Sequence, residues 1–459
     1  MRRAAPDALA VLDTDRALRL TRDDVARAAD AAGCLLDGFP AGAILALQMP
    51  NGPDFFAAVL ACWQRELVPL LVDQDVATAA LDEICRGTGA AAVLHADAAD
   101  RLLVRAAARA DSGTVAMPAG VALLKVTSGS TGEPRAVVLE ADALLAGVGQ
   151  IVSTMGLEPT DRNLVTIPLA HSYAFDNVVL TLVRDGMAAV LARDLTPRRL
   201  LAIAHDAGAS VLPTVPFLID VLARARPSGA LPALRRVISA GAPLPASARE
   251  RFAVAFGVRP RTFYGATECG GIAFDRAGDG DLPDGCVGAP LDGVRVLVDE
   301  PDEDGIGRIR VSSASVARGY LPETTGASGD DPIRRGAFRT ADLGRVDSRG
   351  RLHLVGRIHD VVNVGGRKVY PAEVERVIRA VPGVNDVVVT GVARSAVADA
   401  LRAVVAAEPH VTRDDVAAAC EQRLARYKVP RSIELVPELP RTGRGKIDRR
   451  ALDARYPND

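Results

Sequence analysis

The stretch Val126–Glu140, VTSGSTGEPRAVVLE, decides how the rest of the chain is read. Glycines, serines and threonines fill Thr127–Gly132, with the apolar run VALLKV before them and AVVL after. Glycine lets backbone N–H groups approach an anion, hydroxyls add donors, and Arg135 adds positive charge. These are the parts of a loop that wraps phosphates. Gly132 is followed by Glu133-Pro134, not by Lys-Ser or Lys-Thr, so this is no Walker loop, and the dinucleotide fingerprint GxGxxG is absent. Composition alone leaves a plain surface turn equally open.

Around the loop, apolar runs alternate with helical periodicity. Thr21 can cap a helix over 21–36, with Asp24 three residues on and Val25, Ala28, Ala29 and Ala32 at helical spacing. AILALQM, LVPLLV and AAVLHA read as buried strands, separated by the helices DFFAAVLACWQ and LDEICRGTG. That order predicts an α/β fold, a mostly parallel sheet covered by helices. Residues 278–320 change to short β-branched runs such as VRVLV and GRIRVSS, which predict an antiparallel, β-rich subdomain. GRVDSRGRLHLVG predicts a hairpin turning at Ser348-Arg349-Gly350. Beyond Asp360 the chain restarts as a compact α+β unit. There, YPAEVERVIRAV puts Pro371 at a helix start and Val374, Val377, Ile378 and Val381 on one face. Another helix is expected where Thr412 precedes Asp415 by three.

The 459 residues suit two or three folding units, and 49% of them are hydrophobic, enough for a large core. Lys plus Arg number 55 against 57 Asp plus Glu, so charge gives no reason to expect a nucleic-acid or anionic-membrane partner. Six cysteines without CxxC spacing speak against a zinc site or redox pair and fit a reducing compartment. No secretory signal and no apolar run near the ~20 residues of a bilayer span are found, so a cytoplasmic, membrane-free protein is expected.

Five further motifs follow the loop in order: SAGAPL (239–244), FYGATECGG (263–271), RTADLG (339–344), VGRIHDVVNVGGRKVYPAEVE (355–375) and PRTGRGKIDRRAL (440–452). With LQMPNGPDFFAAVLACW near the start, the set resembles the adenylate-forming superfamily of acyl-CoA synthetases, peptide-synthetase adenylation domains and luciferases over nearly the whole chain. The resemblance implies a large N-terminal AMP-binding domain, 1–359, with its β-rich subdomain at about 278–359. It also implies a small mobile α+β C-terminal lid, 360–459, hinged at Asp360. The implied cofactors are ATP and Mg²⁺, with a thiol of CoA or phosphopantetheine as acyl acceptor. The implied partners are a small carboxylic acid and an acyl or peptidyl carrier protein.

By motif position, the resemblance assigns Thr127, Ser128, Gly129, Ser130, Thr131, Gly132 and Arg135 to the ATP phosphates. It assigns Ala240, Gly241, Ala242, Tyr264 and Gly265 to the adenine side and Thr267 to the α-phosphate. Glu268 becomes the Mg²⁺ ligand, Asp342 the ribose acceptor, Arg357 a ribose or phosphate contact, and Lys446 the lysine bridging carboxylate and α-phosphate. His171 would line the acyl pocket and gate the thiol path, with Tyr173, Phe175, Val215, Pro216, Gly241 and Gly271 as further pocket residues. Read singly, Glu268 is a solvated Glu, His171 a core histidine and Lys446 one cation of a basic tail.

The chain departs from the family at Arg135 and Ala136, where Lys-Gly is usual, and at Asn363, where many members carry Lys. The stretch between His95 and Ala122 is compressed. PLAHSYAF (168–175) suits acyl- and aryl-CoA ligases. The amine-binding Asp of amino-acid-activating domains has no counterpart in register, since Asp176 is displaced by a few residues. An amino-bearing acid loaded on a carrier protein is the second reading. A non-thiol acceptor such as an amine, and a non-catalytic nucleotide-binding relative, complete the alternatives.

Overall fold

The computed structural model describes residues 6–96, 102–107, 115–128, 134–225, 231–276, 282–283, 285–322, 332–334, 336–364, 367–395, 398–441 and 447–456. The expected helix runs Arg22–Cys34. Thr21 Oγ accepts the Asp24 N–H while the Asp24 carboxylate accepts the Thr21 N–H, so two backbone donors at the helix start are satisfied. The chain folds as two compact units. The first comprises 1–281, 287–296 and 311–338, and the second 282–286, 297–310 and 339–459. The second therefore includes chain on both sides of Asp360.

The first unit holds two sheets. One has seven strands among the described residues, in the order Gly319–Leu321, Pro134–Glu140, Val121–Ser128, Val68–Val72, Ile44–Gln48, Ala92–Ala96, Leu102–Ala106. The apolar runs read from the sequence form its parallel centre. Helices Pro53–Gln64 and Thr78–Thr88 connect those strands. The other, larger sheet includes the run Leu18–Thr21, Leu9–Asp13, Ala188–Leu191, Arg162–Val165, Val211–Thr214, Arg236–Ser239, Arg261–Ala266, Gly270–Phe274 and continues beyond it through Cys286–Pro290. It is parallel from Leu9–Asp13 to Arg261–Ala266 and antiparallel at both flanks. The α/β architecture expected from alternation is the one observed.

Buried polar groups of this unit are tied down. Asp161 accepts the Glu158 N–H and the Ser210 hydroxyl, and it pairs with the Arg235 guanidinium. Such a carboxylate holds three separate segments of chain at one point.

In the second unit, Pro371 opens helix Pro371–Arg379. Val374 and Ile378 bury against Val387, Val389, Leu401 and Val405 of a three-stranded sheet, Val384–Ser395, Ala398–Ala407 and Ser432–Val436. Thr412 and Asp415 form the second capping box, at helix Arg413–Arg423. The expected hairpin pairs Asp342–Val346 with Leu352–Arg357. Its turn needs Gly350, at φ +73°, a left-handed conformation that costs glycine little.

Asp347 closes that turn. Its carboxylate accepts the N–H groups of Arg349 and Arg351 and the Arg351 Nε–H, each at 2.9 Å, and lies 2.9 Å from His353 Nε2. Burial alone would raise the Asp347 carboxyl. The hydrogen bonds from His353, Arg351 and Arg349 outweigh it and hold the group well below the usual carboxylate range. A depressed pKa adds stability that is present above the unfolded value of ~3.9 and is lost as pH falls through it toward the folded value. Asp347→Asn should therefore lower the melting temperature at neutral pH and flatten its fall on acidification. Melts of both proteins from about pH 7 down to about pH 2 check this, and parallel acid limbs below about pH 4 would refute it.

Candidate active site

The hairpin Arg261–Ala266/Gly270–Phe274 carries the centre of the site. Gly265 faces Gly271 and Ala266 faces Gly270. A Cβ on Gly265 would lie 2.6 Å from the Gly270 carbonyl oxygen, so only glycine lets the two arms approach this closely. The turn between them presents Thr267 and Glu268. It is strapped from outside: the Ala317 N–H donates to the Glu268 carbonyl at 2.8 Å, and the Ser315 hydroxyl to the Cys269 carbonyl at 2.7 Å.

Glu268 is then held by a residue that no motif marks. The Tyr320 hydroxyl donates to Glu268 Oε1 at 3.0 Å. Tyr320 stands opposite Val137 on the strand that leaves the phosphate-type loop, and its ring lies 5.9 Å from the Arg135 guanidinium. Thr127 pairs in register with Arg135. One tyrosine thus ties the root of that loop to Glu268. Gly129–Gly132 lie outside the described residues, as does the side chain of Ser128.

The segment after Pro168 supplies a second wall. Asn51 clamps it, with Nδ2 donating to the Ile167 carbonyl at 3.0 Å and Oδ1 accepting the Leu169 N–H at 2.7 Å. His171 Nδ1 accepts the Tyr173 N–H and caps a short helical turn. The Tyr173 hydroxyl donates to the Ile238 carbonyl at 2.8 Å, and its ring lies 5.6 Å from Phe263 of the glycine hairpin. Burial raises the Tyr173 phenol above its ordinary value, so it serves as a neutral donor. Phe175 is wholly buried, edge-on to Trp63 at 6.3 Å. From Phe175 to Val179 the backbone is π-helical, a local widening often met at functional sites. It brings Asp176 Oδ1 to within 2.6 Å of Lys125 Nζ, a pair also not foreseen from the sequence.

Ala240-Gly241-Ala242 follow strand Arg236–Ser239. Gly241 stands at φ +86° with open space where a Cβ would be. Val215 and Pro216 begin helix Pro216–Arg224, with Pro216 buried. A Cβ on Gly271 would meet Leu291 at 2.6 Å and the Phe263 ring at 2.9 Å. In the second unit, Asp342 and Arg357 stand opposite each other in register and pair at 3.2 Å. Asp360 ends the turn Ile358–Asp360. Lys446 lies outside the described residues.

Glu268 could supply one carboxylate to a magnesium ion. Glu268 is partly exposed on a strapped turn, and Mg²⁺ is bound through one or two carboxylates, with substrate phosphates and water completing its shell.

The profile of the AMP-binding enzyme family matches residues 2–321, and that of the AMP-binding enzyme C-terminal domain matches 373–446. A feruloyl-CoA synthase from an Amycolatopsis species is 32% identical over 477 residues, covering 97% of this chain and 95% of its own. The ATP-bound MatB structure from Rhodopseudomonas palustris superimposes with a TM-score of 0.86 at 25% identity, covering 98% of this chain and 96% of the other. The amide bond synthetase McbA from Marinactinospora thermotolerans gives 0.84 at 24% identity over 98% of this chain and 97% of its own, a likeness of fold alone.

Tyr320→Phe removes one hydrogen bond to a carboxylate and leaves the packing. It should cost about 1–2 kcal/mol, and Tyr320→Ala should cost more because the strand also loses its ring contact. Denaturant midpoints of the three proteins check the order. A Phe variant as stable as wild type would show that the hydroxyl does not anchor Glu268.

Proposed function

The chain belongs to the AMP-binding enzyme family, as an adenylate-forming enzyme of the acyl-CoA synthetase type, and from that premise we propose that it activates a small acyl or aryl carboxylic acid with ATP and hands the acyl group to a thiol. The substrate carboxylate attacks the α-phosphorus, the bond to the β-phosphate oxygen breaks, and pyrophosphate leaves. The thiol sulfur then attacks the acyl carbonyl and AMP departs. CoA is the acceptor favoured here, and carrier-protein phosphopantetheine is the second. The observation that carries this reading is likeness along the whole chain to a relative named as a CoA synthase, together with Glu268 fixed by Tyr320 beside Arg135.

The residue roles proposed are those that the motif positions imply. Thr127–Gly132 and Arg135 would bind the phosphates, and Thr267 the α-phosphate. Ala240–Ala242, Tyr264 and Gly265 would frame adenine. Asp342, with Arg357, would accept the ribose hydroxyls. Glu268 would hold Mg²⁺, which when bound offsets the charge of the departing pyrophosphate. His171, Tyr173, Phe175, Val215, Pro216 and Gly271 would shape the acyl pocket. Lys446 would bridge the substrate carboxylate and the α-phosphate, with residues 360–459 turning as a lid about Asp360. No helix among the described residues is long and apolar enough to cross a membrane.

ATP–pyrophosphate exchange across benzoates, short fatty acids and amino acids tests the reading, followed by a screen of CoA, carrier proteins and amines as acceptors. Exchange with a non-amino acid and a thioester product are expected. An amide product, or no exchange with any acid, would overturn the proposal. Glu268→Gln should cut exchange by about 10² or more at limiting Mg²⁺. Near-normal exchange would rule Glu268 out as the metal ligand. Lys446→Ala should lose on the order of 10²–10³ in exchange yet still turn supplied acyl-AMP into thioester. Equal loss of both steps would leave Lys446 a general structural contact.

A further inference from the structure

Lys125 lies in a central strand of the seven-stranded sheet, between Leu71 and Val137 on its neighbours. Its side chain is 3% exposed, and its ammonium sits 2.6 Å from Asp176 Oδ1 and 5.6 Å from the Phe175 ring centre. Stability alone does not account for such a pair. Desolvating two charges consumes most of their attraction, and a hydrophobic pair of equal volume often holds the same elements as well or better. The Asp176 side chain is 12% exposed. Its second oxygen, Oδ2, lies 4.0 Å from where a Cβ on Gly270 would be, so it looks onto bare glycine backbone two residues after Glu268. Asp176 also directly follows His171–Phe175, whose Tyr173 packs on the same hairpin. Its carboxylate therefore stands in the wall assigned above to the acyl pocket.

An unneutralised carboxylate there would attract an ammonium group strongly, because the surroundings are apolar and screen little. With Lys125 in contact, the pair carries no net charge, and its ammonium repels a second one. We propose that Lys125 is a specificity-determining residue. By neutralising Asp176 beside the glycine hairpin it keeps the acyl pocket from taking acids that bear an ammonium group, and directs the enzyme to acids with no charge beyond the reacting carboxylate. This rests on the acid-activating function proposed above.

The test compares kcat/KM for exchange within a size-matched set. The set is hexanoate, its ω-amino analogue and adipate, or para-ethylbenzoate, para-aminomethylbenzoate and para-carboxymethylbenzoate, according to which neutral parent is activated. Wild type should favour the neutral parent. Lys125→Met should raise the ammonium analogue relative to the parent by on the order of tenfold or more. Asp176→Asn, which leaves the lysine unpaired, should raise the dicarboxylate relative to the parent by a similar factor instead. The double variant K125M/D176N should return to the wild-type order. Opposite shifts in the two single variants are something a merely structural pair would not produce. If K125M does not fold, as judged by circular dichroism, D176N decides alone. Unchanged ratios, or both variants shifting the same way, overturn the inference while leaving the function standing. A wild-type chain that activates no acid overturns the function first, and the inference with it.

Discussion

An ammonium and a carboxylate 2.6 Å apart, Lys125 and Asp176, join the strand that feeds the phosphate-type loop to the helical segment that follows His171. Two parts of the candidate site in the first unit depend on how those stretches are placed. The loop root carries Thr127 and Arg135, and the segment carries Tyr173 and Phe175. Losing one partner of a buried pair costs on the order of 3–5 kcal/mol, because the other charge is then stranded in apolar surroundings. The contact is strong as a constraint even where its net contribution to stability is small. It fixes one sheet against the element beside the other. The π-helical turn at Phe175–Val179 fits this view, since the wider turn is what the backbone adopts where Asp176 meets Lys125.

Around that constraint the site is built on strands and short turns that cannot relax. The glycine hairpin brings two backbones closer than any side chain permits, and the 315–317 segment closes over its turn. Asn51 reaches from the loop before one helix to pin the chain just ahead of His171. Such restraints hold Glu268 and the His171 segment in place before a ligand arrives, so less ordering remains to oppose binding.

The elements were legible where local chemistry decides them. Thr21 with Asp24 and Thr412 with Asp415 mark helix starts without reference to anything distant. AILALQM, LVPLLV and AAVLHA are too apolar to be anything but buried strands or helices, and their length and flanks choose strands. The motif order singled out Glu268 and Asp342 as candidates. Tyr320, Lys125 and Asp176 were not legible, for one shared reason. Each acquires its role from a partner 51 or 52 residues away in sequence, and only the tertiary fold brings the two together. Lys125 even reads as an interruption in the run VALLKV, since nothing nearby in the chain shows what neutralises it. A tyrosine in ARGYLPE likewise carries no sign of the carboxylate it will meet.

The six thiols have a practical consequence. None is in a disulfide; five are buried and Cys34 alone is exposed. Burial pushes Cys62 up to about 12, and Cys85 and Cys420 up to about 11, so these thiols are almost entirely protonated and poor nucleophiles while the fold is closed. A thiol reagent applied to the native protein therefore marks one place. Any further labelling records an opening event: at Cys62, Cys85 or Cys269 in the first unit, at Cys286 or Cys420 in the second. The chain thus carries internal clocks for the breathing of each unit, which can be read by mass without altering a residue.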